Sequence, residues 1–239
     1  NLKNIIVRYD EIMKELDQYW SKTYPRYYET SKVFYGNDIT KLKLESKKTI
    51  SYMVKEFEMK KAADQYARAA VSKTGTLDMG KLHTYKYNED LFKKVTTLPG
   101  ATNHGMVMVL DWSGSMAGNL KGTLAQMYNL IWFCRRTNIP FEVFAFSDVY
   151  EGRKYQNRYR AEESVNFKAG DIALHSGFKL LNMFSSNMSL NDEMTMMHIL
   201  WMYAIYYSHG YRDWSKAGYP FTPPASLQLG GTPLNDAII

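Results

Sequence analysis

A single cysteine, Cys134, stands among 239 residues, so no intramolecular disulfide can staple this fold. Set in an apolar helical stretch, a lone thiol fits a reducing compartment, and the cytoplasm is expected. Long hydrophobic runs are also missing. The longest apolar stretch, Met194 to Tyr207, is interrupted by Thr195 and His198. It falls short of the ~20 apolar residues that a spanning helix needs, so no membrane partner is expected. No secretory leader is legible, although the chain begins at Asn1 rather than Met. Lys and Arg number 30 against 24 Asp and Glu, a formal net charge of +6. These cations are spread along the chain rather than gathered in a block, and nucleic-acid binding is not expected.

Catalytic signatures are sparse. The 5 histidines include no His-Glu-x-x-His pair, which removes a zinc-protease helix. No Gly-x-Ser-x-Gly elbow surrounds Ser113 or Ser115, and no base can be assigned to either. Gly75 to Lys81 matches the opening of a phosphate-binding P-loop. Leu82, however, stands where a Ser or Thr would hold Mg²⁺, and no buried strand precedes the segment. No catalysis by this chain alone is expected.

Apolar and aromatic residues are abundant: 45% of the chain is hydrophobic and 15% aromatic, which excludes general disorder and indicates a globular protein. Composition changes near residue 100. Before it, Ile5, Tyr9, Ile12, Leu16 and Trp20 recur at helical spacing. A second helix is predicted over about Lys41 to Ser72 with Gly75 as its stop, and Pro99-Gly100 closes a polar, aromatic-rich lead-in. Residues 1–100 are therefore expected to form an N-terminal helical extension and lead-in, and residues 101–239 an α/β domain.

In that domain Met106 to Leu110 is apolar on both faces, as a central parallel strand would be. Leu120, Leu124, Met127, Ile131 and Cys134 stripe a helix from about Asn119 to Thr137, and Phe141 to Phe146 makes the next strand. Strand, helix, strand implies a right-handed crossover and parallel pairing. A basic hairpin around Gly152 and a short helix over Phe178 to Phe184 follow. Next come a hydrophobic core helix from about Asn191 to Ser208 and a Pro-punctuated loop from Tyr211 to Leu229.

The residues with the most chemistry follow the first of these strands. Asp111-Trp-Ser-Gly-Ser-Met116 puts one carboxylate and two hydroxyls at alternate positions after a strand end. Mg²⁺ takes oxygen ligands at ~2.0–2.1 Å in near-octahedral geometry and keeps several waters, so one carboxylate with neutral hydroxyls suffices. Asp111 would supply charge, directly or through water, and Ser113 and Ser115 neutral ligands, with Gly114 easing the turn between them. Asp and Ser are also ordinary turn residues after a strand, and Thr232 alone could be a helix cap before Pro233.

The Asp-x-Ser-x-Ser pattern resembles the signature of von Willebrand factor A (VWA) domains and their metal-ion-dependent adhesion site (MIDAS). That family takes its next ligand from a threonine in a later loop, and Gly230-Gly231-Thr232-Pro233-Leu234 matches that element. The resemblance thus implies a Mg²⁺ site of Asp111, Ser113, Ser115 and Thr232, with Mn²⁺ or Ca²⁺ as alternative ions. It implies a Rossmann-like α/β fold, a mainly parallel sheet flanked by helices. The family also supplies an aspartate from a later loop. No residue before Ile239 matches it, so the domain is expected to be C-terminally incomplete. Residues 73–92, KTGTLDMGKLHTYKYNEDLF, leading into NHGMVMVLDWSGSM at 103–116, are closer to intracellular bacterial and bacteriophage members similar to the cobaltochelatase CobT subunit. Such proteins imply an AAA+ ATPase partner of the MoxR or CobS type, whose Asp or Glu would complete the ion's shell. Two alternatives are a non-catalytic subunit of a metal chelatase and a virion or structural scaffold.

Overall fold

A computed structural model of the chain describes residues 5–67, 70–97, 105–148, 178–208 and 221–231, with backbone alone at 65–67, 70–74 and 94–97. In chain order the elements are β1 (Ile6–Val7), α1 (Tyr9–Thr23), α2 (Pro25–Ala67), β2 (Ala70–Leu77), β3 (Phe92–Thr97), β4 (Met106–Asp111), α3 (Leu120–Thr137), β5 (Phe141–Ser147), β6 (Lys179–Ser185) and α4 (Leu190–Ser208). They fall into two compact units, Asn1–Ile50 with His104–Ile239, and Ser51–Asn103. The N-terminal segment is more than a helical extension, because β1 joins the sheet by parallel pairing with β6, and Leu180 N–H donates to Ile5 O.

The first unit is α/β. Its sheet has the order β1-β6-β5-β4, with β1–β6 and β5–β4 parallel and β5–β6 antiparallel. Helices flank this mixed, mostly parallel sheet, as in Rossmann-like folds. α3 follows the expected pattern: Leu120, Leu124, Met127, Ile131 and Cys134 are all buried. The helix ends at Asn138, whose left-handed φ of 53° stops α3 and turns the chain through Ile139 and Pro140 into β5. Burial pushes the Cys134 thiol up to about 11, so it packs beside Met106 as a small apolar group.

Three expectations are corrected. Among the described residues β4 lies at the sheet's edge rather than at its centre, and Val107 and Val109 are 67% and 57% exposed. Phe178 to Phe184 is not a helix; Lys179–Ser185 is strand β6, because the edge of β5 offers it a ladder of hydrogen bonds that its short apolar run can match. The second helix starts at Pro25, not Lys41, and ends at Ala67. Proline is well suited to a first helical turn, and Tyr28, Tyr35, Ile39 and Ile50 are buried apolar positions of the helix. Residues 70–72 of that predicted helix and Gly75 belong instead to β2.

Around Trp20 the core is largely aromatic. Trp20 Nε1 donates to Tyr203 Oη at 3.2 Å, stacks on Tyr28 and meets Phe221 edge-on, joining α1, α2, α4 and the segment at 221. α4 is buried around most of its circumference, with Met196, Met197 and Met202 fully inside, which matches the core-helix expectation. Tyr128 Oη donates to Met197 O at 2.8 Å and ties α3 to α4.

In the second unit, β2 and β3 pair antiparallel from Ala70↔Thr97 to Leu77↔Phe92, with an irregularity between Lys73 and Leu77. Gly80 and Lys81 lie in the turn leading to a single 3-10 turn, Leu82–Thr84, so the P-loop-like string has no helix N-terminus to cradle a phosphate. The expected hairpin around Gly152 and the loop residues 211–220 lie outside the described residues.

Candidate metal centre

Alternation along an extended chain builds this site. Past the end of β4, Ser113 keeps extended angles (φ −97°, ψ 160°), so Asp111 and Ser113 project to one side and Trp112 to the other. Trp112 is fully buried and donates from Nε1 to Leu227 O at 3.1 Å. Anchoring the indole on the core side leaves the carboxylate and hydroxyls to gather on the other. Ser113 N–H donates to Asp111 Oδ1 at 3.0 Å, and Ser113 Oγ and Ser115 Oγ lie 2.9 Å apart. Asp111 is half-buried, Ser113 is 1% exposed and Ser115 is exposed.

The donor set suits a hard divalent ion. Ligands on adjacent corners of an octahedron of ~2.0–2.1 Å radius are about 2.9 Å apart, which is the separation of the two serine hydroxyls. Soft or borderline metals would need another kind of centre. Among the described residues no group of three or more His, Cys, Asp and Glu side chains could hold a metal ion. His198, buried between α2 and α4 beside Tyr28 and Tyr35, is depressed to about 4, chiefly by burial.

A second strand of chain is stitched onto the Asp111–Ser115 turn. Ser113 and Gly230 form a parallel bridge, with Gly114 N–H donating to Gly230 O at 2.9 Å and Gly230 N–H to Trp112 O at 3.3 Å. The two sequence motifs, far apart along the chain, therefore meet at the level of Gly230. Thr232 itself lies outside the described residues.

Two features escaped the sequence. Gly114 is not required by the turn: the chain passes through a 3-10 turn at Gly114–Met116, and a Cβ at Gly114 would meet Gly230 O at an ordinary 3.7 Å. The constrained glycine is Gly231, where a Cβ would lie 2.6 Å from Asp148 Oδ2. Asp148, the residue after β5, accepts from Gly231 N–H at 2.9 Å. An acidic residue directly after a predicted parallel neighbour of the Asp111 strand was the available signal, but the partner across the gap was not legible. No protein-family model, curated protein or solved structure matches the chain.

Proposed function

We propose that the chain is a Mg²⁺-dependent protein-interaction module of the VWA type, not an enzyme in its own right. Asp111, Ser113, Ser115 and Thr232 would hold the ion. Support comes from one observation above all: the serine hydroxyls stand 2.9 Å apart beside the Asp111 carboxylate. The loop that leads to Thr232 is hydrogen-bonded to the same turn.

A cation held by one carboxylate and neutral hydroxyls keeps net positive charge and exchangeable waters. A partner's Asp or Glu completes its shell, so docking and ion occupancy depend on each other. The resemblance to CobT-like proteins points to an AAA+ ATPase of the MoxR or CobS type as that partner. The chain would then act as its adaptor in a bacterial or phage-infected cell.

Calorimetry with Mg²⁺ tests the ion site, and affinity capture in Mg²⁺, in EDTA and with Asp111→Ala as bait tests its use. Mg²⁺ at about a hundred times its Kd should add roughly 2.7 kcal/mol to stability, and Asp111→Ala should abolish that gain. An ATPase recovered only with Mg²⁺ and intact Asp111 supports the adaptor role. The same partners in all conditions would sink the switch and favour a scaffold.

A further inference from the structure

The pairing of β4 changes hands at the ion site. β4 runs beside β5 as far as Asp111↔Phe146, and at Ser113 its partner is Gly230. Asp148, two residues beyond Phe146, spans this joint: its Oδ1 takes the Gly231 N–H at 2.9 Å. A side-chain oxygen accepting a backbone N–H at this distance makes a directional bond.

Resting on the ion-site function proposed above, we infer that Asp148 is a positioning residue for the metal centre. It clamps the Gly230-Gly231 backbone against the Asp111–Ser115 turn without itself serving as a ligand. Gly231 is the matching half of the clamp. The nearest atoms to a Cβ placed there are Asp148 Oδ2 at 2.6 Å, Cγ at 3.5 Å and Oδ1 at 3.9 Å, all from the one side chain. Relieving that overlap would swing the carboxylate away and break its bond to Gly231 N–H. Gly231→Ala should therefore reproduce the loss of Asp148 rather than add to it.

Mg²⁺ titration by calorimetry, with circular dichroism to verify folding, compares the native chain with Asp148→Ala, Asp148→Asn, Gly231→Ala and the Asp148→Ala/Gly231→Ala double variant. Residues that orient metal ligands typically contribute 10–100-fold to affinity. Asp148→Ala and Gly231→Ala should each weaken Mg²⁺ by about tenfold or more. Asp148→Asn keeps the acceptor oxygen and should stay close to the native chain. The double variant should be no worse than either single change, a non-additivity that marks direct contact. In Mg²⁺-free protein the Gly231 amide should exchange slowly in the native chain and Asp148→Asn, and fast in Asp148→Ala.

Native affinity in Asp148→Ala overturns the clamp while leaving the ion site standing. Asp148→Asn as weak as Asp148→Ala also overturns it, because charge and not position would then be at work. If the native chain binds no Mg²⁺, the ion site itself falls, and this role for Asp148 falls with it.

Discussion

At the scale of single residues, side-chain direction decides chemistry. Trp112 faces the core and its neighbours Asp111 and Ser113 do not, so an indole with one hydrogen bond to Leu227 O orients the turn that carries the polar groups. His198 shows the opposite arrangement, a titratable group enclosed by Tyr28, Tyr35 and the Ser31 region of α2, with Lys32 nearby opposing its charge. Its folded value of about 4 lies below the ordinary 6.5. The unfolded chain thus binds the proton first, and stability present above pH 6.5 is lost as pH falls toward about 4. At ~1.4 kcal/mol per pH unit the window amounts to roughly 3 kcal/mol. Urea unfolding of the native chain and His198→Phe at several pH values measures it. Identical pH slopes for both proteins would rule out this contribution.

At the scale of elements, α3 and α4 are held at one end by Arg135. Its guanidinium meets Glu193 at 2.7 Å and donates to the carbonyls of Ser185, Ser186 and Met188. One arginine thereby ties α3 to α4 and to the turn between β6 and α4. Glu193 is buried, and removing it takes a charge-assisted bond from Arg135, which is 26% exposed and keeps its carbonyl partners. Glu193→Ala should cost about 2 kcal/mol in thermal or denaturant unfolding, and Glu193→Gln distinctly less. Equal losses in the two variants would mean that packing, not charge, holds this end. The β6 assignment belongs to this scale too. Lys-Leu-Leu-Asn-Met-Phe-Ser admits helical spacing or a strand, and only an antiparallel partner settles it, as when Asn182 and Ser185 donate to Glu142 across the β5–β6 pair.

For the whole molecule, the edge position that β4 takes among the described strands is the feature with physical consequences. Among the described residues β4 has a strand neighbour on one side only, and Val107 and Val109 face solvent. An apolar unpaired edge is a template for pairing with another chain. The 239-residue chain should therefore self-associate with concentration in sedimentation velocity, and Val109→Lys should reduce that association several-fold. Unchanged sedimentation of the variant would place the contact elsewhere. No described helix is long and apolar enough to cross a membrane.

Local pattern by itself determined β4, α3, β5 and α4, the helices from long apolar stripes and the two strands from apolar runs that flank a helix between turn residues. It also placed Asp111, Ser113 and Ser115 at a strand end, since spacing in an extended chain dictates which side chains share a side. Tertiary structure alone decided that Ile6–Val7 is a strand, that the helix begins at Pro25 and that Lys179–Ser185 pairs with β5. Each of those segments is short or weakly periodic, and its hydrogen-bond or packing partner is distant in sequence. Asp148 and Gly231 belong with them. Neither residue type predicts the other, and their meeting at 2.9 Å exists only once the parallel β4–β5 register and the Ser113–Gly230 bridge have formed.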